Sequence, residues 1–197
     1  MFCDRSKDLV TVLDDDFVHL GGDEVSTSCW NTTQRINKWM QSNGMDADGA
    51  YGYFVTRTQA IAHSLGKQVL VWDEIWNHFG DKLDRATTII NTRFNPSQGP
   101  ARPVAVPSAT AHGYRVVRSE NIHWYLDQTV HKPWTATYGF EPCGDIPDAS
   151  CAFILGGAAS MWGETVDTSD LMQASLSGHN HPFIAFVFSP SLIRTSY

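Results

Sequence analysis

The stretch FVHLGGDEV, residues 17–25, joins a short apolar run to a glycine pair and then to two adjacent carboxylates. The run from Phe17 to Leu20 predicts a β-strand, which Gly21-Gly22 would end. Adjacent side chains of an extended strand point to opposite sides, so Asp23 and Glu24 could not both flank one bond from such a backbone. The glycine pair changes the path of the chain there, and the two carboxylates can then take different roles.

Four more apolar runs further along the chain predict strands. They are KQVLVW at 67–72, TTIIN at 87–91, YRVVRS at 114–119 and a strand within CAFILGGAASMW at 151–162. These runs are apolar throughout rather than alternating, which is typical of parallel strands buried on both faces. Helical stretches lie between them, so the sequence predicts an α/β fold, either a (β/α) barrel or a doubly wound sheet.

Helical periodicity predicts what connects these strands. The predicted helices cover 33–43, 48–65 and a short stretch from about 108 to 112. Asp48 is predicted to cap the second helix and Gly66 to end it. One face of this helix is predicted to carry a stripe formed by Phe54, Thr58, Ile61 and Leu65.

Polar and aromatic residues gather directly after the predicted strands. They are Asp23-Glu24, Trp72-Asp73-Glu74, Trp124-Tyr125-Asp127 and Trp162-Glu164. In both candidate folds the carboxyl ends of the strands carry the functional site. We interpret the second carboxylate pair, Asp73-Glu74, mainly as structural.

The composition indicates a soluble globular domain. Hydrophobic residues make up 42% and charged residues 18% of the 197 residues, which argues against disorder. The net charge is −7 and basic residues form no block, so nucleic acid is not expected as a partner. No run of about 18 apolar residues predicts a membrane span. The first residues, MFCDRSKDL, lack the apolar stretch of a secretory signal.

The cysteines lie at positions 3, 29, 143 and 151 and form no CxxC motif, so no metal site is predicted. Cys143 and Cys151 are close enough in sequence for a local disulfide in an oxidising compartment. The sequence leaves this open against four free thiols, with free thiols slightly favoured.

Several catalytic classes lack their motifs. A strand followed by Asp-Glu resembles the second ATPase motif, but G-x-x-x-x-G-K-[ST] is absent, as are G-x-G-x-x-G and H-E-x-x-H. No cofactor is therefore predicted. Carboxylates mixed with Trp and Tyr favour glycoside hydrolysis, in which a carboxylic acid protonates the leaving oxygen and aromatic faces hold the sugar.

Four motifs in order carry a family resemblance. HLGGDEV at 19–25 with Cys29-Trp30 after it, VLVWDE at 69–74, WYLD at 124–127 and GGAASMWGETVD at 156–167 together resemble the β-N-acetylhexosaminidases of glycoside hydrolase family 20. The resemblance covers about residues 14–171 and implies a (β/α)8 barrel of the TIM type. HLGGDEV closes the fourth strand of that barrel, so we expect an incomplete barrel of about strands four to eight. We predict a partial catalytic domain at 1–171 and an atypical tail at 172–197.

The resemblance also implies catalytic roles. The family uses the 2-acetamido oxygen of its substrate as nucleophile, an exception among glycosidases. Glu24 would be the general acid and then the base that activates water. Asp23 would orient the acetamido group and stabilise the charged intermediate, and His19 would support the two carboxylates.

Five further residues would bind the sugar by the same resemblance. Trp72 and Trp162 would form the apolar wall, and Tyr125 would donate a hydrogen bond to the acetamido oxygen. Asp127 and Glu164 would bind sugar hydroxyls.

The resemblance implies substrates and a setting as well. The partners would be glycans that end in N-acetylglucosamine or N-acetylgalactosamine, with neither nucleic acid nor a membrane span, and it allows a homodimer of the complete enzyme. The family is typically lysosomal, vacuolar or secreted, which leaves the location of this chain unknown. One departure is Arg93, which stands near the position of a family tryptophan after TTIIN. The alternative is therefore an inactive truncated fragment with at most weak sugar binding.

Overall fold

A computed structural model describes residues 8, 12, 14–93, 105–127, 134–144, 146–160 and 162. By its internal contacts the chain divides into two compact units, residues 1–89 and 90–197. The five strands follow one another in a single sheet in chain order, β1-β2-β3-β4-β5. The third strand, β3 (Thr88–Thr92), runs across the boundary between the units.

The first unit alternates strands and helices. Its elements are β1 (Phe17–His19), α1 (Ser28–Thr32), α2 (Gln34–Ser42), α3 (Ala47–Ser64), β2 (Gln68–Trp72), α4 (Asp73–Phe79) and a 3₁₀ turn (Gly80–Lys82). β1 pairs in parallel with β2, with Val18 opposite Val69. Val69 and Val71 are almost fully buried, which places the centre of this core on β2.

The observed cap of the long helix α3 lies two residues before the predicted one. The carboxylate of Asp46 accepts a hydrogen bond from the backbone N–H of Gly49 at 2.7 Å, so Asp46 is the cap and the prediction of Asp48 was wrong. The predicted stripe was also rotated, because Phe54 is 56% exposed. The residues that α3 buries are Ala50, Tyr51, Val55, Thr58, Gln59 and Ala62.

The second unit carries the remaining elements. Besides most of β3, they are α5 (Ala105–Ala111), β4 (Arg115–Arg118), α6 (Asn121–Trp124), α7 (Trp134–Tyr138), α8 (Asp148–Cys151) and β5 (Ile154–Gly157). β4 pairs in parallel with β5, with an irregular register after Val116. The backbone N–H of Ser119 donates to the carbonyl of Thr92 at 2.7 Å, which ties the end of β4 to the end of β3.

The predicted α/β class with parallel strands is confirmed. All five predicted strands exist; the first four lie within one residue of their expected bounds, and the fifth is Ile154–Gly157 within the predicted stretch 151–162. No helix in the described part of the chain has both the length and the hydropathy that crossing a bilayer requires. The predicted tail, residues 172–197, lies outside the described residues.

One expectation about the cysteines is wrong. Cys143 and Cys151 form a disulfide, whereas free thiols were slightly favoured. The bond joins the segment before α8 to the end of α8, so it closes a short loop within the second unit. Cys29 is free and exposed.

Candidate active site

Strand pairing continues beyond the end of β1 and leads the chain into the two glycines. The backbone N–H of Leu20 donates to the carbonyl of Leu70 at 2.9 Å, and that of Trp72 donates to the carbonyl of Gly21 at 3.0 Å. Gly21 and Gly22 then adopt φ values of +70° and +97°. Glycine adopts these values without steric cost, and the chain turns away from the sheet here.

The carboxylate pair follows this turn, with Asp23 half-buried and Glu24 exposed. Glu24 has a φ of +53°, and it is the one non-glycine residue with positive φ in the described ranges. This left-handed conformation costs a residue with a Cβ about 1–2 kcal/mol. Such strain persists only where the surroundings hold it, and it is concentrated at functional sites.

His19 lies between this turn and Trp72. Its Nδ1 accepts a hydrogen bond from the backbone N–H of Gly21 at 3.0 Å, and its ring centroid lies 4.7 Å from that of Trp72. Desolvation lowers the pKa of His19 to about 4, against the opposing effect of the negative charge of Asp23. By accessible surface His19 is exposed, which makes desolvation the weaker argument, but the acceptor role of Nδ1 independently requires that nitrogen to be unprotonated. His19 is therefore neutral near pH 7.

Tyr51 of α3 reaches the same turn from the helical side. Its hydroxyl donates to the carbonyl oxygen of Gly22 at 2.7 Å. Burial raises the pKa of Tyr51 to about 12, and the negative charges of Glu74 and, to a smaller extent, Asp23 act in the same direction. The phenol therefore keeps its proton, and the carboxylates of Glu74 and Asp23 are close enough to influence it.

Asp73 and Glu74 form the first turn of α4, directly after Trp72. Asp73 is 1% exposed. Carboxylates in the first turn of a helix are stabilised by the unpaired N–H groups there. The structural interpretation of the pair stays a prediction.

In the second unit, Tyr125 and Asp127 follow α6. The backbone N–H of Leu126 donates to the carbonyl of Ser160 at 2.8 Å, and Tyr125 forms an isolated parallel bridge with Ser160. Tyr125 is 5% and Asp127 1% exposed. Trp162 is 44% exposed, and its ring meets Tyr125 edge-on at 5.7 Å. These three predicted sugar-binding residues therefore come from neighbouring backbone segments.

Sequence reasoning missed an ion pair between the end of β4 and the start of α6. Arg118 Nε donates to Glu120 Oε1, and Arg118 Nη1 donates to the carbonyl of Pro142 at 2.7 Å. Both charged side chains are at most 2% exposed. Glu120 is the residue before α6, so the pair fixes where the helix that leads to Tyr125 begins. Charges that flank an apolar strand end, as in RVVRSE, were the available signal.

The predicted residues fall into two groups. His19, Asp23, Glu24 and Trp72 lie in the first unit. Tyr125, Asp127 and Trp162 lie in the second. Glu164 lies outside the described residues. Within the described ranges, no three His, Cys, Asp or Glu side chains are grouped so that they could hold a metal ion.

Comparison with known proteins assigns this architecture to a family. The profile of glycosyl hydrolase family 20, catalytic domain, matches residues 3–176. Since the match spans most of the chain, the protein belongs to glycosyl hydrolase family 20.

Named relatives agree with this assignment. Beta-hexosaminidase 3 of Arabidopsis thaliana is 41% identical over 158 residues, which are 80% of this chain and 28% of the relative. Beta-hexosaminidase subunit beta of Homo sapiens is 32% identical over 170 residues, which are 84% of this chain and 29% of the relative. The chain thus spans less than a third of the length of these relatives.

Solved structures show the same fold. The exo-β-N-acetylglucosaminidase of Vibrio harveyi, solved in complex with N-acetylglucosamine, superimposes with a TM-score of 0.70 at 20% identity. The match covers 92% of this chain and 30% of that protein. The predicted fold class, part of a (β/α)8 barrel, is confirmed.

Proposed function

We propose that this chain carries the acid–base machinery of an enzyme that removes terminal, non-reducing N-acetyl-β-hexosamine residues from glycans. The reaction would retain the configuration at the anomeric carbon, because two displacements follow each other. The nucleophile of the first would be the acetamido oxygen of the substrate rather than a group of the protein. The substrates would be glycans that end in N-acetylglucosamine or N-acetylgalactosamine.

In the first displacement, the acetamido oxygen forms a bond to the anomeric carbon while the bond to the leaving oxygen breaks. Glu24 gives its proton to that leaving oxygen. Asp23 orients the acetamido group and balances the positive charge of the cyclic intermediate. In the second displacement, the Glu24 carboxylate takes a proton from a water molecule. The oxygen of that water attacks the anomeric carbon, and the bond between this carbon and the acetamido oxygen breaks.

The observation that supports this proposal is the backbone of Glu24. Glu24 has a left-handed φ of +53°, so its backbone is not extended. The side chains of Asp23 and Glu24 therefore need not point to opposite sides, as they would in a strand. Two adjacent carboxylates can thus be offered to one substrate in different roles. His19, whose pKa is lowered to about 4, is neutral and adds no positive charge beside Asp23.

The sugar-binding roles belong to the same proposal. Trp72 and Trp162 would offer apolar ring faces to the sugar. Tyr125 would donate to the acetamido oxygen, and Asp127 and Glu164 would accept from sugar hydroxyls.

Glu24→Gln is the deciding variant, because it removes the transferable proton and keeps the shape of the side chain. We expect turnover of an aryl N-acetyl-β-glucosaminide to fall about 10²- to 10⁴-fold. Binding of N-acetylglucosamine, followed by tryptophan fluorescence, should be unchanged. Asp48→Asn is the matched control, since Asp48 is an exposed carboxylate in the first turn of α3. Equal turnover in Glu24→Gln and Asp48→Asn would contradict the assignment.

The alternative is a chain that binds sugar weakly and does not turn it over. Arg93 favours it, because a buried guanidinium stands at the end of β3, near where the family resemblance expects an aromatic wall. The same assay separates the two. Fluorescence-detected binding without turnover in the unmodified chain supports the alternative, whereas turnover that depends on Glu24 excludes it.

A further inference from the structure

We propose that Tyr51 is a positioning residue that fixes the backbone of Gly22, Asp23 and Glu24 in the geometry required for catalysis. The consequence for turnover rests on the function proposed above, whereas the effect on the backbone does not. Tyr51 lies on α3, 29 residues away from the turn that it holds.

The contact is made at a sensitive point. The Tyr51 hydroxyl donates at 2.7 Å to the carbonyl of the peptide group that joins Gly22 to Asp23. This one peptide group sets the direction in which the chain enters Asp23. A shift of its carbonyl rotates the backbone N–H of Asp23 by the same angle, since the peptide group is planar.

The ring that makes the contact is itself held firmly. Tyr51 is 4% exposed. Its ring meets those of His78 and Phe79 edge-on, with centroid distances of 5.4 and 5.1 Å. Edge-to-face pairs of this kind fix ring orientation as well as burying area. The hydroxyl therefore starts from a fixed position, and a bond to the turn transmits that position to the backbone.

The turn needs such a hold because packing on one side of it is incomplete. A cavity of about 310 Å³ lies between the turn and α3, with Gly22, Asp23, Tyr51 and Val55 among its lining residues. A strained conformation such as that of Glu24 relaxes when its surroundings have room to move. Ile75 of α4, which also lines this cavity, packs against Gly22 itself. Tyr51 thus supplies a directional contact to a turn that the cavity leaves incompletely packed.

Tyr51→Phe tests this inference, with Tyr53→Phe as the matched control. Tyr53 lies on the same helix and is 40% exposed, and its ring contacts that of Trp39 at a tilted angle. Hydrogen exchange of the backbone amides of residues 22–25 should accelerate about tenfold in Tyr51→Phe and be unchanged in Tyr53→Phe. With an aryl N-acetyl-β-glucosaminide, kcat should fall about ten- to a hundredfold while KM changes little.

The two measurements separate the failure of this inference from failure of the proposed function. If the unmodified chain shows no turnover, the proposed function fails for this chain, and amide exchange alone decides whether Tyr51 holds the turn. Unchanged exchange at residues 22–25 in Tyr51→Phe would overturn the inference. So would a kcat equal to that of Tyr53→Phe in an active protein. Equal thermal unfolding midpoints for the two variants would show that neither effect comes from loss of the fold.

Discussion

The backbone of Gly22 passes so close to Ile75 that an added Cβ atom would lie 2.5 Å from Cδ1 of the isoleucine. Ile75 is 1% exposed and belongs to α4, whose first turn contains Asp73 and Glu74. The turn that carries the Asp23–Glu24 pair therefore rests directly on the helix that follows β2. Only glycine permits this approach, and the φ of +97° at Gly22 gives a second, independent reason for glycine.

Gly22→Ala should consequently destabilise the protein more than the same substitution at a left-handed glycine without close neighbours. Gly44 is the matched control, since its φ is +63° and an added Cβ meets nothing within 4 Å. We expect Gly44→Ala to lower the free energy of unfolding by about 1–2 kcal/mol. Gly22→Ala should lower it by about 1–3 kcal/mol more, because the Ile75 side chain must move. Urea denaturation measures both, and equal losses would contradict the close contact.

The sequence predicted this turn only in part. The glycine pair after an apolar run indicated where the strand ends, because glycine is the residue that tolerates positive φ. It could not reveal that Glu24 shares that conformation, since glutamate, unlike glycine, asparagine or aspartate, has no preference for it. The contacts with Tyr51 and Ile75 come from helices far along the chain, and no local pattern encodes them.

His19 should make stability depend on pH in a defined window. Its pKa is lowered to about 4 in the folded chain from an ordinary value of 6.5. Between these two values the unfolded chain binds a proton at this site and the folded chain does not. The free energy of unfolding should therefore fall as the pH decreases from about 6.5 to about 4. Above about pH 6.5, His19 should cause no loss of stability.

Urea denaturation at several pH values checks this dependence. His19→Gln should flatten the slope between about pH 6.5 and 4. His112→Gln is the control, because His112 lies exposed near the end of α5. A direct measurement is the NMR titration of the His19 ring. A midpoint at the ordinary histidine value would contradict the lowered pKa from which this pH dependence follows.

Gly157 and Trp124 should be energetically coupled in the second unit. A Cβ on Gly157 would lie 1.8 Å from Cη2 of Trp124, whose indole N–H donates to the carbonyl of Thr137 at 3.1 Å. Gly157→Ala should therefore cost about 3 kcal/mol of stability. Trp124→Phe removes the colliding atoms, so the double variant should lose about 1–3 kcal/mol less than the sum of the single losses. Gly144→Ala is the control, since its nearest neighbours would lie at 3.4 Å.

A double-mutant cycle from urea denaturation measures that coupling, and additive losses would contradict it. The result bears on the proposed sugar-binding residues, because Trp124 immediately precedes Tyr125. In an active protein, Gly157→Ala should also raise KM, since displacement of Trp124 moves the start of the segment that contains Tyr125 and Asp127.

The second unit illustrates what remained out of reach of the sequence. The apolar runs predicted β4 and β5, because continuous hydrophobicity reflects burial on both faces. The charges in RVVRSE were visible, but their burial as a pair was not, since a buried charge is tolerable only through partners such as the Pro142 carbonyl, which lies 24 residues from Arg118. The disulfide stayed open for a similar reason. Sequence spacing alone cannot show whether two Cβ atoms face each other.

The disulfide between Cys143 and Cys151 should contribute measurably to stability. Cys143 and Cys151 are 8 residues apart, and closing so short a loop removes entropy from the unfolded chain worth about 2–3 kcal/mol. We expect the double variant Cys143→Ser/Cys151→Ser to lose about that much on urea denaturation. Dithiothreitol should have the same effect on the unmodified chain.

Cys29→Ser is the control for that experiment, because Cys29 is free and exposed, and its loss should stay within about 0.5 kcal/mol. The neighbour of Cys143, Pro142, accepts from Arg118 through its carbonyl. Opening the loop should therefore also weaken the hold on Arg118, and the loss should be smaller when Arg118→Met/Glu120→Leu already replaces the pair. Equal losses in both backgrounds would show that the disulfide acts on the unfolded chain alone.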